Sequence, residues 1–172
     1  HQLSGGMKQR VMIAMAMILN PDLIIMDEPT TALDVVVQRN IIDKIEKLRE
    51  EFNFSIIFIT HDLSLLVEIS DKLVIMYAGI ILEKGPAKQI YLDPKQPYTR
   101  GLMSSFPPLT GEIEEIGGIP GKPPDLLHPP AGCPFYPRCK KRMEICKNQK
   151  PDLKEEKGGH FVSCHLFSGE DK

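Results

Sequence analysis

Two adjacent carboxylates, Asp27 and Glu28, close the apolar run Leu23-Ile24-Ile25-Met26 and are followed at once by Pro29. Four apolar residues in a row have the pattern of a strand buried on both faces, as in parallel sheets. Carboxylates at the carboxyl end of such a strand stand where open α/β sheets bind their ligands. Phosphoryl transfer uses a pair of this kind: one carboxylate holds Mg²⁺ through its water shell and the other polarises the attacking water. A strand that merely ends in a polar turn has the same local pattern, so the pair draws its weight from its neighbours. Leu3-Ser4-Gly5-Gly6-Met7 lies about twenty residues upstream, and Ile59-Thr60-His61-Asp62 about thirty downstream.

The elements that must position these residues can be read in order. Ser4 can cap a helix that starts in the double glycine and carries Val11, Ala14, Met15 and Ile18 on one face. Gly5 and Gly6 let a backbone approach an anion, and the free N–H groups of the helix start point towards it. An ordinary capped helix with a glycine turn would show the same residues. Asn20-Pro21 ends this helix. Val35 to Glu51 reads as a second helix, with Ile41, Ile42, Ile45 and Leu48 spaced for one buried face. Phe54 to Thr60, rich in aromatic and β-branched residues, reads as a second buried strand that ends on His61 and Asp62. A histidine at a strand end is more often structural than catalytic. Asp62 to Ser70 is a short helix, and Lys72–Tyr77 with Ile80–Glu83 flank Ala78-Gly79 as a hairpin. Gly85-Pro86 opens a short helical piece, and Tyr98 to Ser104 is another.

Length and charge bound the possibilities. At 172 residues the chain can form one sizeable core, or one core with a small appendage. Twenty-one basic and 23 acidic residues give a formal charge of −2, which argues for no nucleic acid or anionic lipid partner. The longest apolar run, Val11 to Leu19, is far short of the roughly 20 residues that span a bilayer. No secretory leader is visible, which favours a cytosolic chain. No Gly-x-x-x-x-Gly-Lys-Ser/Thr phosphate loop occurs, and the chain opens on His1 inside a motif, as a fragment would.

Composition changes at Phe106. Nine of the fifteen prolines lie between there and Pro137, so an extended, irregular linker is expected. Cys133, Cys139, Cys146 and Cys164 all fall in the last forty residues. Such clustering in a tail with few large apolar residues points to a cross-link replacing a core. Disulfides are disfavoured in a reducing compartment, and four cysteines would leave three pairings open. Zinc sites usually contain one tight C-x2-4-C pair, and none is present. Looser spacing suits an iron–sulfur cluster better, with zinc, disulfides or free thiols as the alternatives. His160 and His165 are close enough in sequence to replace a ligand, but bystander roles are expected.

In this order, Leu3-Ser4-Gly5-Gly6-Met7, Leu23 to Glu28, Thr30-Thr31-Ala32-Leu33-Asp34 and Thr60-His61 resemble the signature, Walker B, D-loop and switch histidine of ABC-type ATPases. Ile119-Pro120-Gly121-x-Pro123-Pro124-Asp125-Leu126 and Gly132-Cys133-Pro134-Phe135 resemble the C-terminal extension of oligopeptide and dipeptide importer ATPases. The resemblance implies an α/β fold: residues 1–105 as the C-terminal half of a P-loop (RecA-like) domain, and 106–172 as an irregular extension. It implies ATP and Mg²⁺ as ligands, with Ser4, Gly5 and Gly6 at the γ-phosphate held by the opposite subunit. Asp27 would then serve Mg²⁺, Glu28 the attacking water, His61 the γ-phosphate and Asp34 the partner contact. Met7 stands where the family usually has glutamine, a variant of the peptide-importer branch. The implied partners are a second ATPase subunit (identical or not), membrane permeases and, indirectly, an extracytoplasmic substrate-binding protein. The implied location is the cytoplasmic face of the membrane. Members of the branch carry a [4Fe–4S] cluster on such a cysteine set, and relatives import nickel complexes or oligosaccharides. A soluble, non-transport ABC ATPase is the rival reading.

Overall fold

The computed structural model describes residues 2–31, 33–105 and 118–167. The chain divides into two compact units, His1–Asp62 and Leu63–Lys172.

The first unit runs α1 (Gly5–Met17), β1 (Leu23–Asp27), α2 (Val35–Phe52) and β2 (Ser55–Ile59). The strands pair in parallel, from Leu23 opposite Ser55 to Asp27 opposite Ile59, which sets the two strand ends side by side. Ser4 caps α1 by accepting the Met7 N–H at 3.3 Å, and Asp34 caps α2 by accepting the Val37 N–H at 2.9 Å. Asn53 ends α2 in the left-handed conformation, where asparagine is among the tolerated residues. Ile41, Ile42 and Ile45 of α2 are buried, as are Ile24 and Met26 of β1.

Two expectations fail here. β1 alternates, burying Ile24 and Met26 while Leu23 and Ile25 stay 47% and 63% exposed, so it is covered on one face rather than two. The expected inward face of α1 is also open: Val11, Met15 and Ile18 are exposed, and Gly6 alone is buried in that helix. Two strands and two helices offer too little surface to sandwich a sheet from both sides.

The second unit contains α3 (Leu63–Ile69), β3 (Lys72–Tyr77), β4 (Ile80–Pro86), α4 (Ala87–Leu92) and α5 (Pro97–Met103). A 3₁₀ turn at Tyr136–Arg138, α6 (Ile145–Asn148), β5 (Leu153–Lys157) and β6 (His160–Ser163) follow. The four strands form an antiparallel sheet in the order β3-β4-β6-β5. Ala78 and Gly79, with φ of 50° and 79°, give the expected β3–β4 hairpin the doubly left-handed turn that matches strand twist. One core cluster gathers Leu63, Leu73, Ile75, Ala87 and Ile90; another gathers Tyr77, Leu82, Cys133, Phe135 and Cys146.

Sequence reading gave no strands after residue 83, yet β5 and β6 complete this sheet. Gly85-Pro86 closes β4 and opens a short helix as expected, with Pro86 at the N-cap position of α4. The compact units part at Asp62–Leu63, and β4 pairs with β6 within the second. Residues 118 to 135 are irregular, as the prolines require. The first part of the expected linker, 106–117, lies outside the described residues.

Candidate functional site

Parallel pairing of β1 and β2 delivers Glu28 and His61 to the same edge, one residue beyond β1 and two beyond β2. The Glu28 N–H donates to the Ile59 carbonyl at 2.9 Å, continuing the ladder past Asp27. Glu28 itself turns into the left-handed region, with φ of 47°. That conformation is uncommon for a residue with a Cβ and tends to occur where a site dictates side-chain direction. Its carboxylate lies 2.9 Å (Oε1) and 3.1 Å (Oε2) from His61 Nδ1. Thr31 Oγ1 donates to Glu28 Oε2 at 2.8 Å, and Thr60 Oγ1 lies 3.5 Å from the same oxygen.

Electrostatics follow from these contacts. The hydrogen bond from His61, then that from Thr31, holds the Glu28 carboxyl below the usual carboxylate range. Glu28 in turn raises the His61 pKa, first through the hydrogen bond and then through its charge. An ionised carboxylate at a strand end, with a donor on each oxygen, is equipped to accept a proton from water. Asp27 ends β1 with an exposed carboxylate, a hard oxygen ligand suited to a hydrated Mg²⁺.

The other predicted residues stand at helix starts. Ser4 and Asp34 are N-caps. Gly6 has a packing reason as well as a binding one: a Cβ there would come within 2.7 Å of Val37 Cγ1 on α2. Gly5 is exposed, and a Cβ there would meet Leu33 Cδ2 at 3.2 Å. Thus α1 begins hard against the first turn of α2, and Asp34 and the glycine pair share one corner of the unit. Thr31, Thr60 and Gln38 were not singled out from sequence; Gln38 Nε2 donates to Asp62 Oδ2 at 3.2 Å, tying α2 to the residue after His61. Thr31, three residues after Glu28, was the signal available, since a hydroxyl at that spacing can reach back across a turn.

In the second unit all four cysteines line one pocket, together with Gln96, Pro97 and His165 among others. None forms a disulfide. Gly132 permits the close approach, since a Cβ there would lie 2.3 Å from the Cys146 carbonyl oxygen, which accepts the Cys133 N–H at 2.8 Å. Burial raises the thiol pKa of Cys133 and Cys139, and takes that of Cys164 to about 11. Among the described residues, no group of three or more His, Cys, Asp or Glu side chains is gathered closely enough to hold a metal ion. His165 lines the pocket, with Nε2 3.0 Å from the Gln149 carbonyl oxygen. His160 instead points into the sheet, where its Nε2 lies 2.6 Å from Glu83 Oε1 and both residues are fully buried. Glu83 also accepts the backbone N–H groups of Lys95 and Gln96, at 2.7 and 3.1 Å.

Comparison with known proteins agrees with this geometry. Residues 1–31 match the ABC transporter family, and residues 82–146 match the oligopeptide/dipeptide transporter, C-terminal region. A solved ATP-binding cassette of an ABC transporter in its ADP conformation superposes with a TM-score of 0.50 at 28% identity, covering 58% of this chain and 40% of that one. A component of an ABC transporter complex from Clostridium perfringens gives 0.51 at 31% identity, covering 54% and 37%. The fold is similar to that of the ATP-binding cassettes of ABC transporters. The dipeptide transport ATP-binding protein of Caldanaerobacter subterraneus subsp. tengcongensis is 46% identical over 166 residues, 96% of this chain and 51% of that protein. The oligopeptide transport ATP-binding protein of Salmonella typhimurium is 52% identical over 164 residues, 95% of this chain and 49% of that protein. Over nearly all of its length the chain is similar to ATP-binding proteins of dipeptide and oligopeptide transport, and it spans about half the length of these relatives. Among the described residues no helix is long and apolar enough to cross a membrane.

Proposed function

We propose that the protein hydrolyses ATP to drive import of di- or oligopeptides, with Glu28 as the base that takes a proton from the attacking water. The observation that carries this reading is the Glu28 carboxylate set 2.9 Å from His61 at the shared end of β1 and β2. Asp27 would hold Mg²⁺, which supplies charge neutralisation at the phosphates. Ser4, Gly5 and Gly6 present the start of α1 to the γ-phosphate of ATP held by a second subunit, and Asp34 lies at that same contact. His61, swung from Glu28, reports the γ-phosphate. Residues 1–105 carry out this chemistry, and 106–172 form an accessory extension. The partners are a second ATPase subunit, identical or not, and membrane permeases fed by an extracytoplasmic binding protein, so the protein sits on the cytoplasmic face of the membrane. Support for a peptide cargo comes from the transport proteins it resembles. A full-length protein carrying Glu28→Gln should retain ATP binding and accumulate as an ATP-held dimer on gel filtration. A protein that stays monomeric with ATP bound would contradict the two-subunit arrangement.

The cysteine pocket supports a second part of the reading: Cys133, Cys139, Cys146 and Cys164 hold a [4Fe–4S] cluster. What supports this reading is that the four thiols line one pocket. When bound, it would supply four metal–thiolate bonds that staple the extension. Anaerobically purified protein should then contain about four irons per chain. Stoichiometric zinc without iron, or neither metal, would reject the cluster.

A further inference from the structure

The Glu28 carboxylate is held from two sides, and only one of them is the histidine. Thr31 Oγ1 donates to Oε2 at 2.8 Å, while His61 Nδ1 lies nearest Oε1 at 2.9 Å. The backbone closes the same turn, since the Thr31 N–H donates to the Glu28 carbonyl at 3.2 Å. Glu28 sits in the left-handed region, so its side chain leaves β1 in a direction that the strand does not dictate. A carboxylate launched from such a position needs a second anchor if one oxygen is to face a water reproducibly.

We infer that Thr31 is a positioning residue for the hydrolytic reaction: its hydroxyl occupies Oε2 of Glu28 and leaves Oε1 to His61 or to the attacking water. This rests on Glu28 being the base. Thr60 is the weaker support, at 3.5 Å from Oε2, because its oxygen also accepts the Asp62 N–H at 3.2 Å. Loss of the Thr31 hydroxyl would free the carboxylate to rotate.

The test compares Thr31→Val and Thr31→Ser in the full-length protein, by steady-state ATP turnover. Valine keeps the shape and removes the hydroxyl; serine restores it. Thr31→Val should lower kcat roughly ten- to hundredfold with KM for ATP little changed. Thr31→Ser should recover kcat. Wild-type kcat in Thr31→Val would overturn the inference. So would equal damage from valine and serine, which would assign Thr31 to backbone packing. Glu28→Gln measured alongside separates the two claims. Residual turnover there removes the base and this inference together, whereas an inactive Glu28→Gln beside an unaffected Thr31→Val removes this inference alone.

Discussion

Glu28 and His61 form an exposed pair whose two pKa values move apart, Glu28 down and His61 up. The sign of the pH dependence follows. Glu28 stays ionised to lower pH than an ordinary glutamate, and base function fades only as pH falls through that lowered value. His61 is the largest cause of the lowering, so His61→Ala should move the acid limb of turnover to higher pH as well as slowing it. A pH–rate profile of the full-length variant with an unchanged acid limb would show that the pair does not persist in the working enzyme. Of these residues, Asp27, Glu28 and His61 were legible in sequence because each ends an apolar run. Thr31 and Gln38 were not, because their roles depend on a turn and on a contact 24 residues away in sequence. Asp34 and Gly6 were singled out through the resemblance, while their local work as helix cap and packing gap emerged only in three dimensions.

The elements divide along the same line. α2 was readable from Ile41, Ile42 and Ile45, since a 3.6-residue period needs nothing beyond itself to be recognised. β5 and β6 were missed because Leu153 to Lys157 is charged at four of five positions and exposed, the composition of a sheet edge that meets water. What holds β6 in place is the buried pair His160–Glu83, invisible in sequence because its members lie 77 residues apart. Glu83 also fixes the entry to α5 through the Lys95 and Gln96 N–H groups, so the pair joins the hairpin to the wall of the cysteine pocket. His160→Ala should leave a buried carboxylate short of a partner and cost roughly 2–4 kcal/mol. Thermal or denaturant unfolding checks this; a loss under about 0.5 kcal/mol would mean that the sheet does not depend on the pair.

At the scale of the whole chain, the open surfaces have a consequence. Leu23, Ile25, Ile57 and Ile59 are exposed along β1 and β2, and Val11, Met12, Met15, Ile18 and Leu19 are exposed along and just after α1. Apolar area of this kind is seldom left bare on a soluble monomer. Residues 1–172 expressed alone should therefore self-associate, and light scattering showing a monomer at high concentration would count against it. Without a phosphate loop in these 172 residues, turnover has to be measured on the full-length protein. The most direct measurement of the central claim is steady-state ATP hydrolysis by full-length wild type and Glu28→Gln, side by side with ATP binding. The amide keeps the size of the carboxylate but cannot take a proton from water. Turnover should fall to background with ATP affinity retained; near-normal hydrolysis by Glu28→Gln would place the base elsewhere and contradict the assignment of this strand end.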